Sequence, residues 1–291
     1  MALKGIKPEI VKARKPHIML SGEPGTGKTY FALNWEAPFF CDTEAGATRE
    51  QYVKKLIEAK GTYFGPEQGS QDFQEVIAQV RELATTKHPY KTLVIDSFSK
   101  LYNLEAAAAE DRMGSDFGKD KREADKPTRK LLTWLARLPM NVILICHKKD
   151  KWERRERELI YAGETFDGYK KLDYELDLWL KTKMVGTKRF ATIAKSRIDS
   201  FPVLTDIELT YETFKKLYGA SVIDEEVTPI ILATPEQLTE IKRIVDLLKI
   251  SEEDMDKWLA KAQAVELDDL SKDNAVKFLD FLNKKLTGDK K

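Results

Sequence analysis

The sequence predicts an α/β protein with a mostly parallel central sheet that is extended by an antiparallel hairpin and followed by a small three-helix module. Three observations support this fold class. Short apolar runs alternate with helix-length segments, two strand-like runs flank Gly186, and the chain after Thr234 has a helical pattern throughout. A length of 291 residues suits one main domain with an appendage. We expect these two parts to be residues 1–232 and 233–291.

The strands of the parallel sheet are predicted from four apolar runs. In chain order these runs read "HIMLSG", "FFCDTE", "TLVIDS" and "NVILICH". Runs without polar alternation are typical of strands that are covered by helices on both faces. Cys41 and Cys146 lie inside two of them and have no metal-ligand spacing, so we expect buried free thiols.

The second half of the main domain is less regular. The segment "ELDLWLKTKMVGTKRFATIAKSRI" contains the two strand-like runs around Gly186 and predicts a hairpin that extends the sheet. Residues 109–127 and 148–168 fit neither helix nor strand, and we expect them to be long, functional or mobile loops. The letters "WERRERE" at 152–158 would also suit a solvated helix with alternating charges.

The helical module is predicted from three N-cap signals. Thr234, Ser251 and Ser271 each precede apolar residues at helical spacing. One apolar stripe comprises Leu238, Ile241, Val245 and Leu248, and another comprises Ala275, Phe278, Leu279 and Leu282. These stripes predict a helical core of their own, linked to the main domain near residues 231–234.

The charge balance excludes a global attraction to nucleic acid or membrane. Lys and Arg number 49 and Asp and Glu number 48, a formal net charge of +1, so any basic surface must be local. The N-terminal letters "MALKGIKPEIVKARK" lack the apolar core of a secretion signal, and no apolar run approaches the roughly 20 residues that span a bilayer. We expect a soluble, cytoplasmic protein with no membrane partner.

A phosphate-binding loop is predicted between the first strand and the first helix. The letters "GEPGTGKT" match G-x-x-x-x-G-K-[ST], a pattern that holds ATP with Mg²⁺. Its glycines let backbone N–H groups approach phosphate oxygens, Lys28 reaches the β- and γ-phosphates, and Thr29 ligates the metal. The expected nucleotide-binding residues are Gly22, Glu23, Pro24, Gly25, Thr26, Gly27, Lys28, Thr29 and Tyr30.

Two further acidic positions complete the predicted centre. Asp96 ends the strand "TLVID" and is expected to be the second magnesium anchor. Because Ser97 rather than a glutamate follows it, another carboxylate must orient the attacking water. Glu44 and Asp42 in "FFCDTEAG" are the candidates, although Asp42 could simply cap the turn.

Two later strand ends carry polar residues of interest. His147 ends a buried strand, where a polar side chain can contact the γ-phosphate and report its presence to the adjoining segment. The tetrad "HKKD" faintly resembles the guanine-reading N-K-x-D, but its Asn is missing and "DSFS" lacks the D-x-x-G of GTPases. Lys195 and Arg197, two apart beyond a strand, point the same way and would ordinarily form a solvated face.

Taken in order, these motifs resemble the RecA-like P-loop NTPase core, and more narrowly the phage-encoded RecA-like single-strand annealing ATPases of the Sak group. The resemblance covers residues 15–218 and rests on "GEPGTGKT", "DTE", "VIDS", "ICH", "AKSR" and "GETFDGYKKLDYELDLWL". The chain departs from bacterial RecA in having His147 where RecA has a glutamine switch. Its N-terminal arm is also short, with no clear polymerisation strand.

The resemblance implies a role for each residue. Glu44 would orient the attacking water, and His147 would act as the γ-phosphate sensor. Lys195 and Arg197 would reach the γ-phosphate of a neighbouring subunit, which requires a homo-oligomer, either a ring or a filament. With Lys28, these residues form the expected catalytic set, and Thr29 and Asp96 form the expected metal site.

The resemblance also places single-stranded DNA at two loops, which correspond to the two irregular stretches. Both carry basic side chains interleaved with aromatic ones, a pattern that suits sequence-tolerant binding of single strands. In the first stretch the candidates are Arg112, Phe117, Lys119, Lys121 and Arg122. In the second they are Lys148, Lys149, Lys151, Trp152, Arg154 and Arg155.

The sequence therefore predicts an ATP- and Mg²⁺-dependent oligomer that coats single-stranded DNA and promotes annealing or strand exchange. A single-stranded-DNA-binding protein is a further candidate partner, and the cytoplasm would be that of the host if a phage encodes the chain. Two alternatives remain open: an AAA+ or helicase-type motor or loader, and a binding module in which the nucleotide is only a switch. By analogy, the helical module would bind partners or gate access of DNA.

Overall fold

The computed structural model describes residues 14–113, 119–155 and 158–287, and within these residues nine strands form the central sheet. The strands are β1 His17–Gly22, β2 Pro38–Asp42, β3 Thr62–Phe64, β4 Thr92–Asp96, β5 Asn141–Arg155, β6 Glu158–Phe166, β7 Leu178–Val185, β8 Lys188–Ser196 and β9 Asp206–Glu208. The helices are α1 Lys28–Leu33, α2 Glu50–Glu58, α3 Phe73–Thr85, α4 Phe98–Met113, α5 Lys119–Arg137, α6 Leu172–Glu175, α7 Tyr211–Tyr218, α8 Ala220–Ile223, α9 Pro235–Leu248, α10 Glu252–Lys261 and α11 Lys272–Leu286. None of these described helices is long and apolar enough to cross a membrane.

The sheet is parallel at its centre and antiparallel at one side. Its strand order is β3-β2-β4-β5-β1-β7-β8-β9, with β6 paired to β5 outside this row. Strands from β3 to β7 in this order are parallel neighbours, whereas β8 pairs antiparallel with both β7 and β9. The architecture predicted from the sequence, an α/β core whose mostly parallel sheet is extended by an antiparallel hairpin, is confirmed.

The strand register brings the predicted motifs to one edge of the sheet. Gly22 lies opposite His147, and Asp42 lies opposite Asp96. Asp96 in turn lies opposite Ile145, two residues before His147, so the four residues lie at the same end of the sheet. We call this end the carboxyl edge; the opposite side, where His17 begins β1, is the amino edge. The carboxyl ends of parallel strands are where α/β folds place their ligands.

Helices cover both faces of the central strands, which explains the apolar runs. On β1, Met19 packs into the cluster formed with α3, α4 and α5. Its neighbours Ile18 and Leu20 point to the other face and pack with α1 and α7. Cys41 and Cys146 are buried and unpaired, as predicted.

The first stretch predicted to be a loop, 109–127, is mostly helical, so that prediction is wrong. Helix α4 continues to Met113, and α5 begins at Lys119 and runs through Pro127. Leu131, Trp134 and Leu135 recur at helical spacing, and their burial against the sheet outweighs the cost of an internal proline.

The second predicted loop, 148–168, is also wrong, as is the alternative of a helix at 152–158. Strand β5 continues past the carboxyl edge and pairs with β6, from Lys148 opposite Phe166 to Arg155 opposite Glu158. We call this structure the β5–β6 hairpin. Trp152 lies opposite Tyr161, and cross-strand pairing of aromatic and β-branched residues stabilises strands in spite of alternating charges.

The C-terminal helices begin at the predicted caps. The Thr234 hydroxyl accepts from the Gln237 N–H at 3.3 Å while the Gln237 side chain accepts from the Thr234 N–H at 3.0 Å. The hydroxyls of Ser251 and Ser271 cap α10 and α11 by accepting from the N–H groups of Asp254 and Asn274. The module has its own apolar cluster, formed by Ile241, Ile244, Leu259, Ala264, Leu270, Ala275 and Leu282.

The module contacts the main domain through polar groups. The Arg81 guanidinium lies 3.3 Å from the buried Asp269 carboxylate, and Arg137 donates to the Asp269 carbonyl at 2.8 Å. Lys130 lies 2.6 Å from Glu266. These contacts attach the module to α3 and α5.

Candidate active site

The loop between β1 and α1 adopts a conformation that only glycine permits at two positions. A Cβ atom at Gly22 would lie 2.3 Å from the Thr182 hydroxyl of β7, too close for any other residue. Gly27 has φ +92° and is the N-cap residue that precedes α1. Thr26 fastens the loop by hydrogen bonds to the Glu23 carbonyl at 2.8 Å and to the Thr182 hydroxyl at 2.7 Å. The first bond closes the loop on itself, and the second attaches it to β7.

Lys28 points back across this loop. Its ammonium donates hydrogen bonds to the carbonyls of Gly22 and Glu23, each at 2.8 Å. Burial lowers the pKa of Lys28, while Asp96 and Glu44 oppose that shift. The ammonium thus lies between the loop and the two carboxylates predicted to act with it.

The two predicted magnesium ligands are in direct contact. Thr29 Oγ1 donates to Asp96 Oδ2 at 2.6 Å. Burial, reinforced by the negative charges of Glu44 and Asp42, raises the pKa of Asp96 to about 6. A buried carboxylate with a raised pKa gains from a nearby cation, and one hydroxyl with one carboxylate suits Mg²⁺, which keeps several waters and phosphate oxygens in its shell. Within the described part of the chain no group of three or more His, Cys, Asp or Glu could form an all-protein metal site.

Glu44 belongs to a hydrogen-bonded cluster at the carboxyl edge. Its Oε1 lies 2.7 Å from His147 Nε2 and accepts from the Ser97 hydroxyl at 2.7 Å. The hydrogen bond from His147 is the main cause that lowers the pKa of Glu44 to about 2, and the same contact raises the pKa of His147. We call Glu44, Ser97 and His147 the carboxylate cluster.

Asp42, the other candidate carboxylate, makes hydrogen bonds that stabilise the backbone of the turn. Its side-chain oxygens accept from the backbone N–H groups of Glu44 at 2.9 Å and Ala47 at 2.8 Å, and the residue is buried. It therefore caps the turn after β2 and positions Glu44. This geometry favours Glu44 as the water-orienting group, and the assignment stays a prediction.

Lys195 and Arg197 are not brought to this site. Lys195, which lies inside β8 and not beyond it, pairs with Trp179, itself opposite Met19. The backbone N–H of Arg197 donates to the Asp177 carbonyl, and the backbone N–H of Asp177 donates to the His17 carbonyl. At about 3.3 Å per residue, both cations lie some 10 Å or more from Gly22 along the strands, towards the amino edge. Their side chains donate to the carbonyls of Leu176 and Tyr174, so neither can serve its own phosphate loop.

The structure adds a residue that the sequence analysis missed, Arg189 at the start of β8. A Cβ atom on Gly27 would lie 2.3 Å from Arg189 Cδ, and the guanidinium lies 4.3 Å from the centre of the Tyr30 ring. A cavity of about 280 Å³ opens here beside the phosphate loop. Its lining includes Gly27, Thr29, Tyr30, Gln51, Lys55 and Arg189. The sequence signal for this residue is weak: Arg189 follows another cation, Lys188, in "GTKRF".

The candidate DNA-binding residues of the first stretch are only partly described. Arg112 forms an ion pair with Glu105 at 2.8 Å. Phe117 lies outside the described residues. Lys119, Lys121 and Arg122 lie in α5, and their side chains are likewise outside the described part of the structure.

The second set lies on the β5–β6 hairpin, and some of its cations are paired. Lys148 contacts Glu164 of β6 and, at 2.6 Å, Glu23 of the phosphate loop, and these carboxylates raise its pKa. Lys149 pairs with Asp167 at 3.0 Å, and Lys151 pairs with Glu153 at 2.7 Å.

The exposed part of this hairpin is aromatic and apolar. Trp152 is 57% exposed and Tyr161 is 51% exposed, with ring centres 5.6 Å apart. Leu159 and Ile160 are exposed beside them, and so is Arg154. The side chain of Arg155 is outside the described part. Among its described side chains, the hairpin therefore offers an exposed pair of aromatic rings beside the exposed cation Arg154.

The fold and the site together define a P-loop nucleoside triphosphatase. Residues 14–200, more than half of the chain, match the AAA_24 family, which is described as an AAA domain. The chain belongs to this family.

Two further comparisons were made, with curated proteins and with solved structures. No curated protein matches the chain. Among solved structures, it is similar to the one titled "Crystal structure of the RadB recombinase", with 17% identity, a TM-score of 0.42, and coverage of 66% of this chain and 86% of that one. Similarity at this level does not bear on function.

Proposed function

We propose that this protein is an ATP-dependent recombinase that binds single-stranded DNA and promotes annealing or strand exchange, as the RecA-like annealing ATPases of phages do. ATP would be hydrolysed at interfaces between subunits. One observation carries this proposal: the carboxylate cluster joins Glu44 to His147, and His147 lies in the strand that continues into the β5–β6 hairpin. A hydrogen bond thus links the proposed site of hydrolysis, through His147, to the strand that forms the candidate DNA-binding hairpin.

The nucleotide chemistry is assigned to residues of the carboxyl edge. The phosphate loop and Lys28 would hold the triphosphate, and Thr29 with Asp96 would hold Mg²⁺, which would supply positive charge to neutralise the phosphate oxygens. Glu44 would hydrogen-bond a water aligned with the γ-phosphorus. The water oxygen would bond to that phosphorus and its proton would pass to Glu44, while the bond from the γ-phosphorus to the β–γ bridging oxygen breaks and its electron pair leaves with ADP; Glu44 would then release the proton to solvent.

The His147 contact supports a coupling between nucleotide and DNA. While Glu44 accepts from His147, its pKa of about 2 makes it a weak proton acceptor. A movement of β5 that withdraws His147 removes the largest cause of that low pKa. Glu44 would then be both free to bind water and more basic, so binding of DNA to the hairpin would accelerate hydrolysis.

Two further parts of the proposal concern assembly. Lys195 and Arg197 lie near the amino edge, where a neighbouring copy in a ring or filament could receive them. We also place the domain boundary between residues 1–232 and 233–291, and we assign the helical module to partner binding, with a single-stranded-DNA-binding protein as one candidate.

The rate of ATP hydrolysis with and without single-stranded DNA tests the proposal. We expect DNA to stimulate the wild-type rate, most strongly at low salt because phosphate contacts are screened by ions. The variant Glu44→Gln should bind ATP but show no stimulated hydrolysis. Equal rates with and without DNA across a salt series would contradict the coupling.

A further inference from the structure

Arg189 has an unusual environment for an arginine. Its Nε atom is shielded from solvent and has no hydrogen-bond partner among the described residues. A buried guanidinium N–H without an acceptor is costly, and such groups in proteins normally face an acceptor that the protein or a ligand supplies.

The surroundings of Arg189 indicate what that acceptor is. Among the side chains that line the cavity, Lys28, Lys55 and Arg189 are cationic and none is a carboxylate. Lys55 Nζ lies 4.2 Å from the centre of the Tyr30 ring, and Arg189 lies 4.3 Å from it. Two cations held by one ring beside a phosphate loop favour an anionic ligand.

The position of Arg189 along the phosphate loop indicates which part of the nucleotide it would contact. Glu44 and Asp96 mark the end at which the γ-phosphate would react. Arg189 instead packs on Gly27 and Tyr30, at the far end of the loop, where backbone N–H groups of such loops hold the α- and β-phosphates.

We infer that Arg189 binds the α-phosphate of the nucleotide held by its own subunit, with the Tyr30 ring supporting its guanidinium. This inference rests on the proposed function, because it assigns a contact to the nucleotide bound there. It makes the β7–β8 hairpin part of the nucleotide site of the same subunit through Arg189, while Lys195 on the same strand β8 faces away from that site.

Measurements of ATP affinity and turnover test Arg189. Arg189→Gln should weaken ATP binding about ten-fold or more, since a hydrogen bond to a charged group is lost. Arg189→Lys should lie between the two, because it keeps the charge but loses the Nε donor. The matched control is Lys188→Gln, which removes an exposed cation one residue away and should bind ATP normally.

Inorganic tripolyphosphate separates a phosphate contact from a base contact. If Arg189 binds the α-phosphate, Arg189→Gln weakens tripolyphosphate and ATP in parallel, and the ligand-free variant unfolds at the same temperature as the wild type. Unchanged tripolyphosphate binding would mean that Arg189 contacts the base or ribose, and it would overturn the inference. A lower turnover with unchanged affinity would also overturn it. Failure of the wild type to bind ATP at all would instead refute the proposed function.

Discussion

At the scale of single residues, the carboxylate cluster concentrates the chemistry of the site. Glu44 has a depressed pKa and His147 has a raised one, because each stabilises the charged form of the other. Ser97 adds a second donor to Glu44. Glu44, which would orient water, is thus hydrogen-bonded to His147, the predicted γ-phosphate sensor.

The first prediction concerns pH. A His whose folded-state pKa is raised contributes stability that is fully present below its unfolded pKa of about 6.5 and is lost as pH rises through the folded value. We expect the wild type to lose this contribution above about pH 6.5 and His147→Gln to lack it. Since both side chains are more than a third exposed, the contribution is at most about 1 kcal/mol.

Unfolding temperatures of the wild type and His147→Gln between pH 6 and 9 measure this contribution. The difference between the two proteins isolates His147 from other titrating groups. A difference that stays constant over this range would contradict the ion pair. Glu44, with its depressed pKa, loses its own contribution only in acid, as pH falls towards about 2.

The second prediction separates the two candidate carboxylates. Glu44→Gln should reduce turnover by about 10²- to 10⁴-fold, because it removes a group that acts on water, and should lower stability by no more than the roughly 1 kcal/mol of the exposed ion pair with His147. Asp42→Asn should mainly lower the unfolding temperature, because it disturbs one buried and one partly buried hydrogen bond of the turn. Steady-state hydrolysis and thermal unfolding of both variants decide the matter, and the reverse pattern would make Asp42 the active group.

At the scale of elements, the two stretches expected to be loops show how pairing partners override local sequence. Residues 119–137 carry a proline and many charges, yet the apolar face of α5 packs on the sheet. Residues 148–166 carry alternating charges, yet each strand of the β5–β6 hairpin supplies the hydrogen-bond partners of the other. Neither outcome was readable from the local pattern, because both depend on contacts made by distant or facing residues.

The third prediction concerns this hairpin. Replacing Trp152 and Tyr161 together by alanine should weaken binding of single-stranded DNA, since stacking contributes about 1–3 kcal/mol per base. The rate of hydrolysis without DNA should not change, because neither ring contacts the nucleotide site. Fluorescence anisotropy with a labelled oligonucleotide measures the affinity, and Val203→Ala, which also removes an exposed apolar side chain, is the control. Wild-type affinity in the double variant would remove the hairpin from the DNA site.

At the scale of the whole molecule, the candidate site is incomplete in one chain if the cations near the amino edge take part in catalysis. Burial and the charge of Arg197 lower the pKa of Lys195, so the two cations repel each other in the isolated chain. A phosphate oxygen from a neighbouring copy would relieve that repulsion. Assembly would then be a condition for hydrolysis.

The fourth prediction is complementation between two inactive proteins. Glu44→Gln and the double variant Lys195→Ala with Arg197→Ala should each be nearly inactive alone. Mixed together, they should recover part of the activity, because some interfaces then combine an intact Glu44 with intact cations from the neighbour. Hydrolysis by the mixture, compared with each variant at the same total concentration, measures this recovery. Full activity of the cation variant by itself would refute a shared site.

The fifth prediction tests the domain boundary. Deletion of residues 233–291 should leave ATP binding intact and lower the unfolding temperature modestly, because Arg81, Arg137 and Lys130 lose their partners in the module. Isothermal titration and thermal unfolding of the truncated chain measure the two effects. Loss of folding on truncation would mean that the module is part of the main core.

The sequence by itself determined the parts of this protein that rest on short contiguous patterns. The phosphate loop, the strand that ends at Asp96, the buried thiols and the helix caps of the module are each specified by a few adjacent residues, and local backbone chemistry suffices to predict them. The tertiary structure alone decided which distant side chains meet. It placed His147 on Glu44, set Arg189 over Tyr30, and moved Lys195 away from its own phosphate loop, because strand register and the packing of helices on the sheet fix those distances.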